Sequence, residues 1–257
     1  SVAVGANMAA AAASKARHGM NEKIARLSTG IRAMYGGDAA GHSIGTAVSA
    51  DAGGYSMAAR NIEDGISYLQ MGESVLLEAA NLATRIRELG IQADNEALLN
   101  SSADLAALNA EATALGTAID AIVTKATFNG VSVVSKADLT RAIGVTDDGG
   151  TTTLTITGIA VAARTEATNA DNSADAALED VAIALGNVAA GIAALKGRQA
   201  VAYSASANLA AAAARIEDTD FAKETANLTK NSVLNQSAMA MVAQANQAQS
   251  AVLAVLQ

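Results

Sequence analysis

Tyr68–Leu89, reading YLQMGESVLLEAANLATRIREL, decides the fold. Its small or apolar positions Tyr68, Gly72, Val75, Ala79, Leu82, Ile86 and Leu89 are spaced 4-3-4-3-4-3. A sustained repeat of about 3.5 residues presents one narrow stripe of a helix to a second helix, whereas a helix covering a sheet shows a broader face. The spacing recurs at Leu105, Leu108, Ala112, Leu115, Ile119 and Ile122. It returns at Leu178, Val181, Leu185, Val188, Ile192 and Leu195, and runs on through Gln199, Ala202, Ser206, Leu209, Ala213 and Ile216. Val242, Ala245, Gln249, Val252 and Leu256 carry it to the end. The pattern predicts a helix from about Ser43 to Gln92, roughly 75 Å long at 1.5 Å per residue.

Between Thr127 and about Asn172 the helical period stops. Phe128-Asn-Gly130 is a turn signal, and Val131-Ser-Val-Val134 is β-prone. Thr151–Thr157 alternates β-branched residues, and Asp147-Asp-Gly-Gly150 before it reads as a hairpin turn. The expected fold is mainly α: a long antiparallel helical coiled-coil bundle with a small central β-hairpin region. Pairing the two arms antiparallel puts both termini at one end and the β segment at the far tip.

Composition closes off other classes. The 257 residues include no proline, cysteine or tryptophan, and only 2% aromatics, while about a quarter of the chain is alanine. No proline means no forced break in a long helix. Without cysteine there is no disulfide, thiolate metal site or cysteine nucleophile. His18 and His42 are too few for a multi-histidine metal site, and both read as solvated side chains. Seventeen Lys+Arg against 25 Asp+Glu leave a net charge of −8, the wrong sign for a general nucleic-acid or anionic-membrane binder. The first residues lack a basic segment followed by a leucine-rich run, so export without a cleavable signal peptide is expected. No cofactor or metal is expected. Asp147-Asp-Gly-Gly150 lacks the remaining ligands of a calcium loop. Glu63-Asp64 and Glu217-Asp218 have no nucleophile, histidine or phosphate loop beside them, so capping or inter-subunit salt bridges with Arg60 and Arg215 are expected rather than catalysis.

Several blocks resemble bacterial flagellin. Arg26-Leu-Ser-Thr-Gly-Ile-Arg32 with Gly37-Asp-Ala-Ala-Gly41, Arg60–Ser67, Arg85-Ile-Arg-Glu-Leu89 and Phe128-Asn-Gly130 are similar to motifs of its N-terminal arm. Ala214-Arg-Ile-Glu-Asp218 and Val242–Gln247 are similar to motifs of its C-terminal arm. The short middle resembles a form lacking large central surface domains. The resemblance implies a non-enzymatic subunit that self-polymerises into the extracellular flagellar filament, with a hook–filament junction protein as the alternative. It implies an inner coiled-coil domain of residues 1–40 plus 217–257 and a rod-like domain of 41–216, with terminal helices that order on assembly. Implied partners are other copies, the export apparatus and an export chaperone, the filament cap and hook-junction proteins, and an innate immune flagellin receptor. Arg85, Leu89 and Glu111 fall where receptor contacts and filament interface would lie. Ile24, Leu27, Ile31, Val242, Ala245, Val252 and Leu256 are the expected polymerisation seams. Met239 and Met241, with Val242 and Leu253, are candidates for a chaperone anchor or filament packing.

Overall fold

The computed structural model of the chain describes residues 2–32, 38–95, 98, 102–159, 167 and 169–256, without the side chains of 2, 3, 253, 255 and 256. Five helices carry the fold: α1 (Val2–Thr29), α2 (Ala39–Ala93), α3 (Ser102–Lys125), α4 (Ala170–Glu217) and α5 (Phe221–Leu256). Between α3 and α4 lie β1 (Thr127–Phe128), β2 (Val131–Ser132), β3 (Leu139–Gly144) and β4 (Thr151–Ile156). They form two antiparallel pairs, β1–β2 and β3–β4. The chain divides into two compact units, Ser1–Ala50 with Asn208–Gln257, and Asp51–Ala207. Both divisions fall inside helices, within α2 and α4.

In the central unit, α2 and α4 run antiparallel. Ser206 donates to the Ala52 carbonyl near one end, and Arg87 pairs with Asp175 at 2.7 Å near the other. The seam of α4 keeps a strict heptad: Ala170, Ala174, Ala177, Val181, Ala184, Val188 and Leu195 are buried. Seven-residue spacing also orders α2, but its buried face is wider than one stripe. Leu69, Leu76 and Ala83 are buried beside Gly72, Ala79 and Ile86, because α2 packs on two sides. Its second neighbour is α3, whose Leu108, Ala112, Gly116, Ile119 and Val123 are buried.

An 18-residue window of α4 reaches mean hydropathy 1.6, enough by length and composition to suit a bilayer. Its uncharged run, however, lies between Asp180 and Lys196. Those intervening residues span roughly 22 Å, short of a hydrocarbon core of about 30 Å. The hydropathy comes largely from Val181, Ile183, Leu185, Val188, Ile192 and Leu195, of which Val181, Val188 and Leu195 are buried.

The β segment departs from expectation. Rather than capping the far tip, it folds back along α2. Helix α3 reverses the chain, so β1 starts beside the middle of α2: the Tyr68 hydroxyl donates to the Ser132 carbonyl at 2.6 Å, and the Tyr68 and Phe128 rings meet edge to face. From there Val133 backbone passes Gly72, Ile143 passes Gly65 and the turn residue Asp147 reaches Gly54. That traverse from residue 72 to 54 of α2 covers about 27 Å. Asn129 (φ 49) and Gly130 (φ 77) both take positive φ, as the two central residues of a tight hairpin turn require. In the second turn, the Asp148 carboxylate accepts from the Thr146 hydroxyl and the Gly150 amide, which together hold it below the usual carboxylate range.

Space on the helix seams is tight where α2 and α4 meet at their ends. A Cβ at Gly90 would lie 3.0 Å from Asp171 Cα, whereas one at Gly53 would meet nothing within 4 Å. Replacing a helical glycine by alanine gains up to about 1 kcal/mol when space allows. Gly53→Ala is therefore expected to raise the urea midpoint of the monomer and Gly90→Ala to lower it. Equal stabilisation by both would show that the two helices do not approach this closely.

Candidate assembly surface

The terminal unit is organised around an antiparallel pair, α1 and α5. Arg26 reaches Glu224, and Gly19 lies against Asn231, so the register advances on one helix as it recedes on the other. The low-exposure positions of α1 include Ala6, Ala9, Ala13, Ala16, Met20, Lys23 and Leu27. Those of α5 include Glu224, Leu228, Asn231, Asn235, Ala238, Val242, Ala245 and Gln249. Both sets are heptads, but most of the occupants are small or polar.

Burial is divided unequally between the units. Every one of the twelve largest fully buried side chains, from Ile62 to Leu195, lies in the central unit. Among the described residues, the buried apolar side chains of the terminal unit are Ala9, Ala13, Ala16, Ala213 and Ala238. A buried methyl-sized group contributes about 0.8 kcal/mol and a buried leucine about 1.5–3. Meanwhile Val4, Met8, Phe221, Val233, Leu234 and Met239 stand exposed on the same unit. Two helices bury one stripe each; among the described residues of the unit, no layer covers their outer faces.

What holds the terminal unit at its inner end is polar. Gly30, at φ 72, ends α1 and returns its amide to the Arg26 carbonyl at 2.8 Å. The Arg32 guanidinium donates to the Ile216 carbonyl at 2.8 Å, placing a cation at the C-terminal carbonyls of α4. It also meets Asp38 at 2.9 Å, and Asp38 in turn accepts the Gly41 amide as the N-cap of α2. The Asp220 carboxylate accepts the Lys223 amide at the start of α5. Glu224 is buried with two cations, Lys23 Nζ at 3.3 Å and Arg26 Nη1 at 3.3 Å. These charged seam positions were not expected from the sequence. Extending the Val242–Ala245–Gln249 heptad backwards along α5 would have reached Glu224.

The expected seam residues separate. Leu27, Ile31, Val242 and Ala245 are half-buried, and Ile31 forms a β-bridge with Asp218. Ile24 is 49% exposed, so it lies off the α1–α5 seam, where Lys23 and Leu27 take the contact positions. Val252 is also exposed. Leu256 and Leu253 lie outside the described side chains.

Of the three central candidates, Arg85 and Glu111 come together and Leu89 does not join them. The Arg85 guanidinium bonds Glu111 at 2.9 Å and Glu88 at 3.0 Å, both on the exposed surface, and the two carboxylates hold its charge more firmly, Glu88 foremost. Leu89 is fully buried with Ala93, Leu108 and Ala112 between α2 and α3. Its expected place in a surface contact is corrected: four residues from Arg85, it falls on the inner face of the same helix.

Elsewhere, Glu217 meets His42 Nδ1 at 3.5 Å and the Thr46 hydroxyl at 3.4 Å within the chain. In the central unit a cleft of about 540 Å³ lies between α2 and the hairpins, lined by Asn61, Asp64, Tyr68, Phe128 and Arg141 among others. Burial raises the Tyr68 hydroxyl above its ordinary value.

Long small-residue seams and exposed apolar side chains mark a helical structural protein with surface suited to association. The family model for the bacterial flagellin N-terminal helical region matches residues 2–138, and that for the bacterial flagellin C-terminal helical region matches 172–256. The chain is similar to flagellin of Bacillus subtilis (strain 168), with 32% identity and 90% of each chain covered. To flagellin of Halalkalibacterium halodurans it is 36% identical, covering 90% of this chain and 89% of the relative. To the flagellar filament 33 kDa core protein of Treponema phagedenis it is 30% identical, covering 92% of each. The chain belongs to the flagellin family. It is a structural subunit of the bacterial flagellar filament, an extracellular appendage built by self-polymerisation.

The polar inner end carries a pH signature. Asp38 is held below the ordinary carboxylate range, first by the Gly41 amide and then by Arg32. Such a group contributes stability above its unfolded value of about 3.9 and loses it as the pH falls through its lower folded value. Asp38→Asn is expected to flatten the acid side of the melting-temperature profile below about pH 4. A profile displaced from wild type but with the same acid slope would contradict this.

Proposed function

We propose that the terminal unit is the part of the subunit that packs in the filament interior, and that neighbouring copies cover its outer faces. The observation that carries this is the unequal burial: large apolar side chains fill the central unit, whereas the α1–α5 hairpin buries alanines and exposes valine, leucine, methionine and phenylalanine. On this reading the inner domain is residues 1–40 with 217–257, and 41–216 forms the layer around it. Ile24 and Val252 face other copies, while Leu27, Ile31, Val242 and Ala245 serve the α1–α5 contact and its margins; Leu256 continues the same heptad. Growth follows from a heterologous contact, in which one surface meets a different surface of the next subunit and the rotation does not close.

A thin seam also means that α1 and α5 open in the free chain. Four buried alanines along α1 and α5 supply roughly 3 kcal/mol, too little to order two helices of this length alone. Amide hydrogen exchange is expected to be fast at residues 4–28 and 222–252 in the monomer and at least a hundredfold slower in the filament. Equal protection in both would sink the interior assignment. Ile24→Asp tests the face itself: monomer stability should move by less than about 0.5 kcal/mol, as for exposed sites. Elongation of filament seeds, measured by electron microscopy, should fall at least tenfold.

The remaining partners belong to the same proposal. The chain passes through the flagellar export apparatus, with Met239 and Met241 offering adaptable anchors to an export chaperone before assembly. The filament cap and hook-junction proteins meet its ends of growth. It carries no catalytic activity. The alternative of a junction protein made in few copies is not favoured, since the relatives matched over about nine-tenths of their length are flagellins and filament core proteins. Arg85 and Glu111, paired and exposed, are the residues offered to an innate immune flagellin receptor. Arg85→Ala should weaken a receptor reporter response at least fivefold while leaving the monomer fold intact; an unchanged response would remove the case for that residue.

A further inference from the structure

Without cysteine or tryptophan, the chain's readily oxidised side chain is methionine. Of seven methionines, Met8, Met57, Met71, Met239 and Met241 are exposed, and Met20 is half-buried. Three of them gather at one level of the α1–α5 hairpin. The register that sets Arg26 beside Glu224 and Gly19 beside Asn231 brings Met8 level with Val242. Met8, Met239 and Met241 therefore lie within about one helical turn of each other along the axis. They are 70%, 50% and 63% exposed. Beneath them the seam is thin, built from Ala9, Ala238 and the half-buried Val242.

We propose that Met8, Met239 and Met241 are an oxidation site that controls assembly: a peroxide modifies them in the free chain and so blocks its addition to a filament, while packing in the filament shields them. This rests on the reading that neighbouring copies cover the outer faces of the hairpin. Each thioether sulfur attacks one oxygen of hydrogen peroxide, the O–O bond breaks and a sulfur–oxygen bond forms. Sulfur loses two electrons, the peroxide gains them, and the second oxygen leaves as water after a proton shift. The product is a sulfoxide, a polar group with an acceptor oxygen on a surface that must become dry. Met239 and Met241 stand about 200° apart round α5, so sulfoxides there and at Met8 put polar groups on more than one side of the hairpin at a single level.

The test treats monomer with hydrogen peroxide, maps the sulfoxides by peptide mass spectrometry, and follows elongation of untreated filament seeds. Monomer oxidised at all three positions is expected to elongate at least tenfold more slowly, and enzymatic reduction of the sulfoxides to restore growth. The combined variant Met8→Leu, Met239→Leu, Met241→Leu keeps apolar side chains of similar volume and should elongate equally with and without peroxide. Should that variant grow poorly untreated, the three double variants, each keeping one methionine, are compared instead, and each should lose less growth to peroxide than wild type. Loss of growth after peroxide as large in the leucine variants as in wild type would overturn the proposal. So would unchanged growth of wild type oxidised at all three sites. The underlying reading is checked separately by oxidising intact filaments: the three sites should react at least tenfold more slowly there. Equal rates in filament and monomer would overturn the covered-face reading, whatever the growth assay returns.

Discussion

How closely two helix backbones can approach governs this chain, and side-chain size at the seam sets that distance. Alanines at 170, 174, 177 and 184 let α4 lie close on α2, and Gly90 passes Asp171 with no room for a methyl group. Close approach maximises contact between long surfaces, but alanine supplies few methyl groups to bury. Large buried side chains are therefore found where a further layer adds them. In the central unit α3 and the hairpins do so, bringing Ile119, Val123, Val133, Leu154 and Ile156 onto α2 and α4. In the terminal unit the described chain supplies no such layer, and the apolar surface that remains is the material for association.

Polar chemistry in the terminal unit does what apolar packing does in the central one. Arg32 joins the last carbonyls of α4 to the N-cap of α2, and Glu224 draws Lys23 and Arg26 into the seam. A charged cluster fixes the register of two helices whose alanines would pack nearly as well one heptad away, since alanine methyls are interchangeable. Specificity here comes from charge, and the seam itself adds little apolar burial.

Much of the fold was legible because helical packing repeats. The heptads from Tyr68 to Leu89 and from Leu178 to Leu195 announced α2 and α4, and α2 runs over Ala39–Ala93 against an expected Ser43–Gln92. Phe128-Asn-Gly130 and Asp147–Gly150 announced their turns through residues that tolerate positive φ. The site was less legible. Periodicity placed Leu89 on the seam and Arg85 off it, as the structure does; the likeness to flagellin grouped both in one surface contact, and it says nothing of which face each occupies. Ile24 and Lys23 are adjacent, and only the partner helix decides which of them faces inward.

The sequence by itself determined the helices, their small-residue seams, the positions of the turns and the likeness to flagellin, since each is written in spacing and local residue type. Only the tertiary structure decided that the hairpin folds back to Gly54, that Glu224 meets Lys23 and Arg26, and that large side chains concentrate in one unit. Those outcomes join residues far apart in the chain. Which distant surfaces meet depends on the shape and charge of both at once, and no local period encodes that pairing.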